Sequence, residues 1–153
     1  MFRSVLTQVL SSAGGSSPPS AVFMHCTTGN NRTGVFIALL LLLLGVAPDV
    51  VANEYALSEA GLAPTRHINV ERLLKKGAFE DFGPEEARRK CERMVGAREE
   101  SMEALIVEVE RRWSGPEGYF MKEVGFTKGD IEYLREEFIE LGEVEEEKAH
   151  SNF

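Results

Sequence analysis

The residues with the clearest capacity for chemistry are His25-Cys26-Thr27-Thr28-Gly29-Asn30-Asn31-Arg32-Thr33-Gly34. A cysteine and an arginine separated by five residues are set here between a short β-like run, Ala21–Met24, and an unbroken apolar segment, Val35–Leu44. A loop that leads into a helix N-terminus turns its backbone N–H groups inward and favours an anion. Arg32 adds a planar fork able to hold two phosphoryl oxygens at once. The same positive surroundings favour the thiolate of Cys26, and thiols so placed have pKa values of about 3.5–7.5. Thr33 is suited to set its hydroxyl against the sulfur. Gly29 and Gly34 permit turns that a Cβ would obstruct. The stretch reads as a phosphate cradle with a nucleophile at its floor. His25 reads as a residue that orients the loop, while Thr27, Thr28, Gly29, Asn30, Asn31 and Gly34 complete the wall against which a bound phosphate would lie.

His-Cys-x5-Arg-Thr-Gly resembles the signature of the cysteine-dependent protein tyrosine phosphatases, in particular their atypical bacterial and fungal branch, the protein tyrosine phosphatase B type. The likeness continues through Leu43-Leu44-Gly45-Val46, Pro48–Val51 and Asn53-Glu54-Tyr55. It returns at Met102–Leu105, at Trp113–Tyr119 and from Gly125 to about Leu134. It is strongest over residues 21–141. Multiplying ordinary residue frequencies, the signature alone would arise by chance in roughly one chain of this length in a million. The resemblance implies hydrolysis of phosphotyrosine in a protein or peptide through a cysteinyl-phosphate, with Cys26 as nucleophile and Arg32 and Thr33 as its catalytic partners. It implies no cofactor and no metal. Sulfur transfer or arsenate reduction by another Cys-x5-Arg protein fits less well, because Thr33-Gly34 follows the phosphatase pattern. Asn30-Asn31 departs from the bacterial relatives, which carry Lys-Asp there, and the lost lysine tilts substrate choice towards phosphotyrosine and away from phosphoinositides.

One part of the resembling enzymes is missing from its expected place. Their proton donor is an aspartate upstream of the cysteine, whereas residues 1–25 contain neither Asp nor Glu. Such a donor is typically worth about 10²–10⁴ in rate. Downstream, Asp49 is explained by its place in the first turn of a helix. Asp81 is the remaining candidate for the general acid. The deficit supports a second reading, a truncated or inactive pseudophosphatase that binds phosphate or a partner without efficient turnover.

The elements that must position the loop are mostly helices. Residues 2–12 have the spacing of an amphipathic helix, residues 11–20 read as a Gly/Pro loop, and Ala21–Met24 is the one convincing strand. The apolar run forms a buried helix from about Thr33 to Leu44, stopped by Gly45. Further helices are expected over Pro48–Ala60, around Val70–Leu74, from Pro84 to about Val95, from about Met102 to Trp113, and over Pro116–Val124. A capping pair, Thr127 and Asp130, opens a last helix with Ile131, Leu134, Phe138 and Leu141 facing inward. The basic cluster Arg66, His67, Arg72, Lys75 and Lys76 reads either as a solvated face or, by the resemblance, as part of a cover over the site. The expected fold is α/β: a tyrosine-phosphatase-like loop between a strand and a buried helix, a mostly helical second half, and most of the sheet missing. A single strand cannot form a sheet, so residues 1–141 read as a partial domain truncated at its N-terminus, followed by an acidic tail over 142–153.

Composition narrows the surroundings. The chain has 153 residues, 43% hydrophobic and 27% charged, within the range of ordinary globular domains. Its net charge of −8 opposes general binding to nucleic acid or to anionic membranes. The apolar run of about 10 residues is too short to span a bilayer. Cys26 and Cys91 do not make a disulfide framework, and a working thiolate points to the reducing cytoplasm.

Overall fold

A computed structural model describes residues 23–150 and Ser4, with the backbone alone beyond residue 139. The helix expected over 2–12, the loop 11–20 and the first half of the expected strand lie outside the described residues. Phe23 and Met24, its second half, are irregular, and no strand occurs among the described residues. A strand needs a neighbour to take up its ladder of hydrogen bonds, and the described residues supply none. The described residues are mostly helical, as expected of the second half of the chain.

The described residues divide into two compact units. One comprises Met24–Ala38 and Pro48–Leu105, the other Leu39–Ala47 and the chain from Ile106 onward.

The first unit begins with the loop and with the start of helix α1, Arg32–Leu43, whose residues from Leu39 onward belong to the other unit. Phe36, Ala38, Leu39, Leu40 and Leu43 of this helix are buried, as its all-round apolar sequence requires. Helix α2, Pro48–Leu62, starts with a proline and an acid in the first turn. Gly34 belongs to this packing. A Cβ there would lie 2.6 Å from Tyr55 Cε2, so the α2 ring approaches α1 at a position only glycine leaves open. A 3₁₀ turn, Ala63–Thr65, leads into helix α3, Arg66–Lys75, and Gly83 precedes helix α4, Pro84–Val95. Helices α3 and α4 pack through Val70, Cys91 and Val95, with Leu73, Leu74, Ala78 and Phe79 around them. Cys91 is fully buried, and desolvation raises its thiol pKa. It is a core residue. The bend after α4 is held by Glu59, whose carboxylate accepts the Ala97 N–H at 2.6 Å and pairs with Arg66.

In the other unit, α1 ends in a Schellman pattern: Val46 N–H donates to Leu41 O and Gly45 N–H to Leu42 O, with Gly45 at φ 92°. Arg135 Nε donates to Leu43 O at 2.9 Å. Helix α5, Glu99–Trp113, enters this unit at Ile106. A short helix α6, Pro116–Tyr119, continues as one π turn, Phe120–Val124. Gly118 passes so close to Trp113 O that a Cβ would fall 1.7 Å from it. Phe120, Phe126, Ile131 and Leu134 are buried. Helix α7, Lys128–His150, opens with the expected cap: Thr127 N–H donates to Asp130 Oδ2 at 2.8 Å and Asp130 N–H to Thr127 Oγ1 at 3.2 Å. It runs on through the segment read as an acidic tail. Phe138, expected to face inward, is 37% exposed. Among the described residues no helix is long and apolar enough to cross a membrane.

Candidate active site

Every residue of the signature from His25 to Gly34 lies in the first unit, and the loop is folded around the sulfur. Burial pushes the Cys26 thiol up, but it is outweighed by hydrogen bonds from the Thr33 hydroxyl and from the backbone of Thr33, Thr28 and Gly29. The result is a thiol lowered from 9.0 to about 6. The three amides and the hydroxyl converge on one point, as an anion cradle requires. Gly29 has φ 82°, a left-handed conformation that lets the loop reverse beside the sulfur. Arg32 Nη2 donates to Thr27 Oγ1 at 3.1 Å, which fixes one arm of the guanidinium to the loop. His25 Nδ1–H donates to Cys26 O at 3.2 Å. That contact constrains the backbone of Cys26 and leaves the imidazole exposed.

The two asparagines tie the loop to the end of α4. Asn30 is 2% exposed, and its Nδ2 donates to Gly96 O at 3.1 Å and, longer, to Val95 O at 3.4 Å. Its Oδ1 accepts from the Thr28 hydroxyl. Asn31 Nδ2 donates to Met94 O at 2.9 Å. Helix α4 ends at these carbonyls, which have no partner inside the helix. Two side-chain amides of the loop satisfy them, so the cradle is clamped to the end of α4. The side-chain amide of Asn30 is thus engaged by the carbonyls at the end of α4.

A cavity of about 550 Å³ opens on Cys26. The loop forms one side of it, through Thr27, Thr28, Asn31 and Arg32. One face of α3 and the residue that caps its C-terminus form another, through Asn69, Arg72, Leu73 and Lys76, and the end of α4 contributes Met94 and Val95. Of the basic cluster, Arg72 and Lys76 thus reach the cavity, while Arg66 is engaged by Glu59. Asn69, Leu73, Met94 and Val95 carried no chemical signal in the sequence. The positions 69, 72, 73 and 76 do fall on one helical face, and that spacing was the available clue.

Among the described residues no lining residue is acidic. Asp81 is exposed in the turn before α4 and does not line the cavity; Asp49 is exposed in the first turn of α2. Neither is brought to Cys26. No group of three or more His, Cys, Asp or Glu side chains able to hold a metal occurs among the described residues.

A sequence family described as "Tyrosine phosphatase family" matches residues 1–140. A protein of Nostoc commune called "Tyrosine-protein phosphatase" is 28% identical over 138 residues, which cover 88% of this chain and 42% of that protein. The "Triple specificity protein phosphatase PtpB" of Mycobacterium tuberculosis is 23% identical over 118 residues, covering 74% of this chain and 42% of that protein. The chain therefore spans less than half the length of these curated relatives. No solved structure matches significantly.

Proposed function

The chain belongs to the tyrosine phosphatase family, and we propose that it hydrolyses aryl phosphate monoesters, phosphotyrosine in a protein or peptide, through a cysteinyl-phosphate on Cys26. The observation that carries this reading is the convergence of the Thr33 hydroxyl and three backbone amides on a thiol of pKa about 6 at the floor of a cavity. Such a thiol is largely thiolate at neutral pH, and the thiolate is the nucleophile.

In the first step the Cys26 sulfur attacks phosphorus in line, an S–P bond forms and the bond to the tyrosyl oxygen breaks. Arg32 and the amides of the loop carry the charge on the equatorial oxygens. In the second step water attacks the same phosphorus, the S–P bond breaks, and inorganic phosphate leaves with the thiolate restored. The Thr33 hydroxyl stabilises the sulfur as it departs.

The absence of an acid from the cavity lining bears on the choice of ester. A phenolic leaving group has a pKa of about 10, so it departs with a proton from solvent far more readily than an alkoxide, whose pKa is near that of water, about 15.7. Aryl phosphates are thus the substrates this cavity tolerates best. Asp81 is not retained as general acid, since it lies outside the cavity. The same deficit favours the second reading, a pseudophosphatase that binds phosphorylated ligands without efficient turnover.

We take residues 1–141 as the phosphatase-like part and a reducing, cytoplasmic setting as the one that keeps Cys26 active. Hydrolysis of p-nitrophenyl phosphate, compared among the wild type, Cys26→Ser and Arg32→Ala, separates the two functions. Turnover lost in both variants supports the enzyme. A folded wild type without turnover that still binds phosphotyrosine peptide supports the binding module.

A further inference from the structure

We propose that the cavity holds a second anionic group of the substrate through Arg72 and Lys76, and that the preferred substrate is a phosphotyrosine peptide with an acidic side chain beside the phosphotyrosine. The proposal rests on the phosphatase reading above and names the substrate class for the same cavity.

The chain carries 25 acidic and 17 basic residues, so its cations are outnumbered. Arg66, Arg88, Arg89, Lys90, Arg111, Arg112 and Arg135 have carboxylate partners. Lys75, Arg93, Arg98, Lys122 and Lys128 form no ion pair among the described residues but lie outside the cavity, whereas Arg72 and Lys76, equally without an ion pair, line it together with Cys26 and Arg32. With Arg32 they place three unneutralised cations around a space with no acidic wall. The transferred phosphate already has Arg32 and the loop amides, so the two α3 cations are left for another anion. They sit one helical turn apart and point to the same side. Leu73, Met94 and Val95 supply an apolar surface suited to the tyrosyl ring between the two anionic ends.

A phosphorylated inositol also carries several anions. Its leaving group is an alkoxide, however, which the acid-free cavity handles poorly, and the chain's net charge of −8 opposes an anionic membrane. The peptide is the better fit.

The test uses the full chain and three phosphotyrosine peptides identical except for Glu, Ala or Lys at the positions flanking the phosphotyrosine. Each exposed cation is worth roughly 1.4- to 5-fold, so the wild type is expected to prefer the Glu peptide over the Lys peptide by about tenfold in kcat/KM. Arg72→Ala/Lys76→Ala is expected to bring that ratio within about twofold, and high salt to lower it in the wild type. Both side chains are exposed, so the fold should tolerate the change; the single substitutions R72Q and K76Q give an independent check, each removing part of the preference. p-Nitrophenyl phosphate is assayed alongside. If the wild type does not hydrolyse it, the phosphatase reading fails, and fluorescence anisotropy of the same peptides on the Cys26→Ser chain still judges the subsite. Equal use, or equal binding, of the three peptides by wild type overturns the proposal. So does a preference that survives the double substitution, or a soluble phosphoinositide headgroup turned over faster than the Glu peptide.

Discussion

Replacing Asn30 with alanine should loosen the cradle by removing its tie to the end of α4. Asn30 is almost fully buried and joins Thr28 in the loop to Val95 and Gly96 at the end of α4. Removing its amide leaves carbonyls at the helix end without their donor, at a cost of about 1–3 kcal/mol. The Thr28 and Gly29 amides that lower the Cys26 thiol lie two and one residues away, and each pKa unit corresponds to about 1.36 kcal/mol. If a comparable part of the clamp's energy holds those amides in line, the thiol should rise by about one unit from about 6. Thiolate at pH 6 would then fall from roughly half of the molecules to roughly a tenth. The assay is the rate of Cys26 alkylation by iodoacetamide across pH 4–9, read at its midpoint and accompanied by a thermal melt. Asn31→Ala, which breaks one exposed bond to Met94 O, should shift the midpoint less. A destabilised Asn30→Ala chain whose midpoint stays near 6 would refute the reasoning, because the loop would then hold its amides without the clamp.

Further outcomes follow from other contacts. Gly34→Ala should destabilise the chain by about 1–3 kcal/mol through overpacking on Tyr55, and Tyr55→Leu in the same chain should recover much of that; additive losses in chemical denaturation would contradict the contact. The Ala97 N–H, against the opposing effect of burial and with help from Arg66, lowers the Glu59 carboxyl. A carboxyl lowered by folding stabilises the chain above its unfolded pKa, and that contribution disappears as pH falls through the folded value. Glu59→Gln should therefore cost about 1 kcal/mol at pH 7, a modest figure because solvent reaches the carboxylate, and progressively less by thermal melts as the pH falls below the ordinary carboxylate range. Desolvation raises the Cys91 thiol and full burial shields it, so native alkylation should label Cys26 alone, with Cys91 reacting only after unfolding; labelling of both in the native state would contradict this core.

The helices were legible because their signals are local. Pro48 and Pro84 at helix starts, Gly45 past a helix end and the Thr127–Asp130 cap each specify an end within a few residues. Cys26, Arg32 and Thr33 were legible because the loop chemistry is contained in one short stretch. The partners of Asn30 and Asn31 were not, since the carbonyls they meet lie more than 60 residues away and no side-chain type marks them. Asn69 and Leu73 were hidden for the same reason: they acquire meaning only when α3 is brought beside the loop. Ala21–Met24 has the composition of a strand, but composition supplies no neighbour, and Phe23-Met24 is irregular.

The most direct test of the central claim is to trap the intermediate. Wild-type chain turning over p-nitrophenyl phosphate is quenched in acid, digested and examined by mass spectrometry for phosphate on the peptide that contains Cys26. The account predicts a phosphocysteine at Cys26, absent from Cys26→Ser together with turnover. Turnover that persists in Cys26→Ser, or an active chain in which no phosphate is ever found on Cys26, would contradict it.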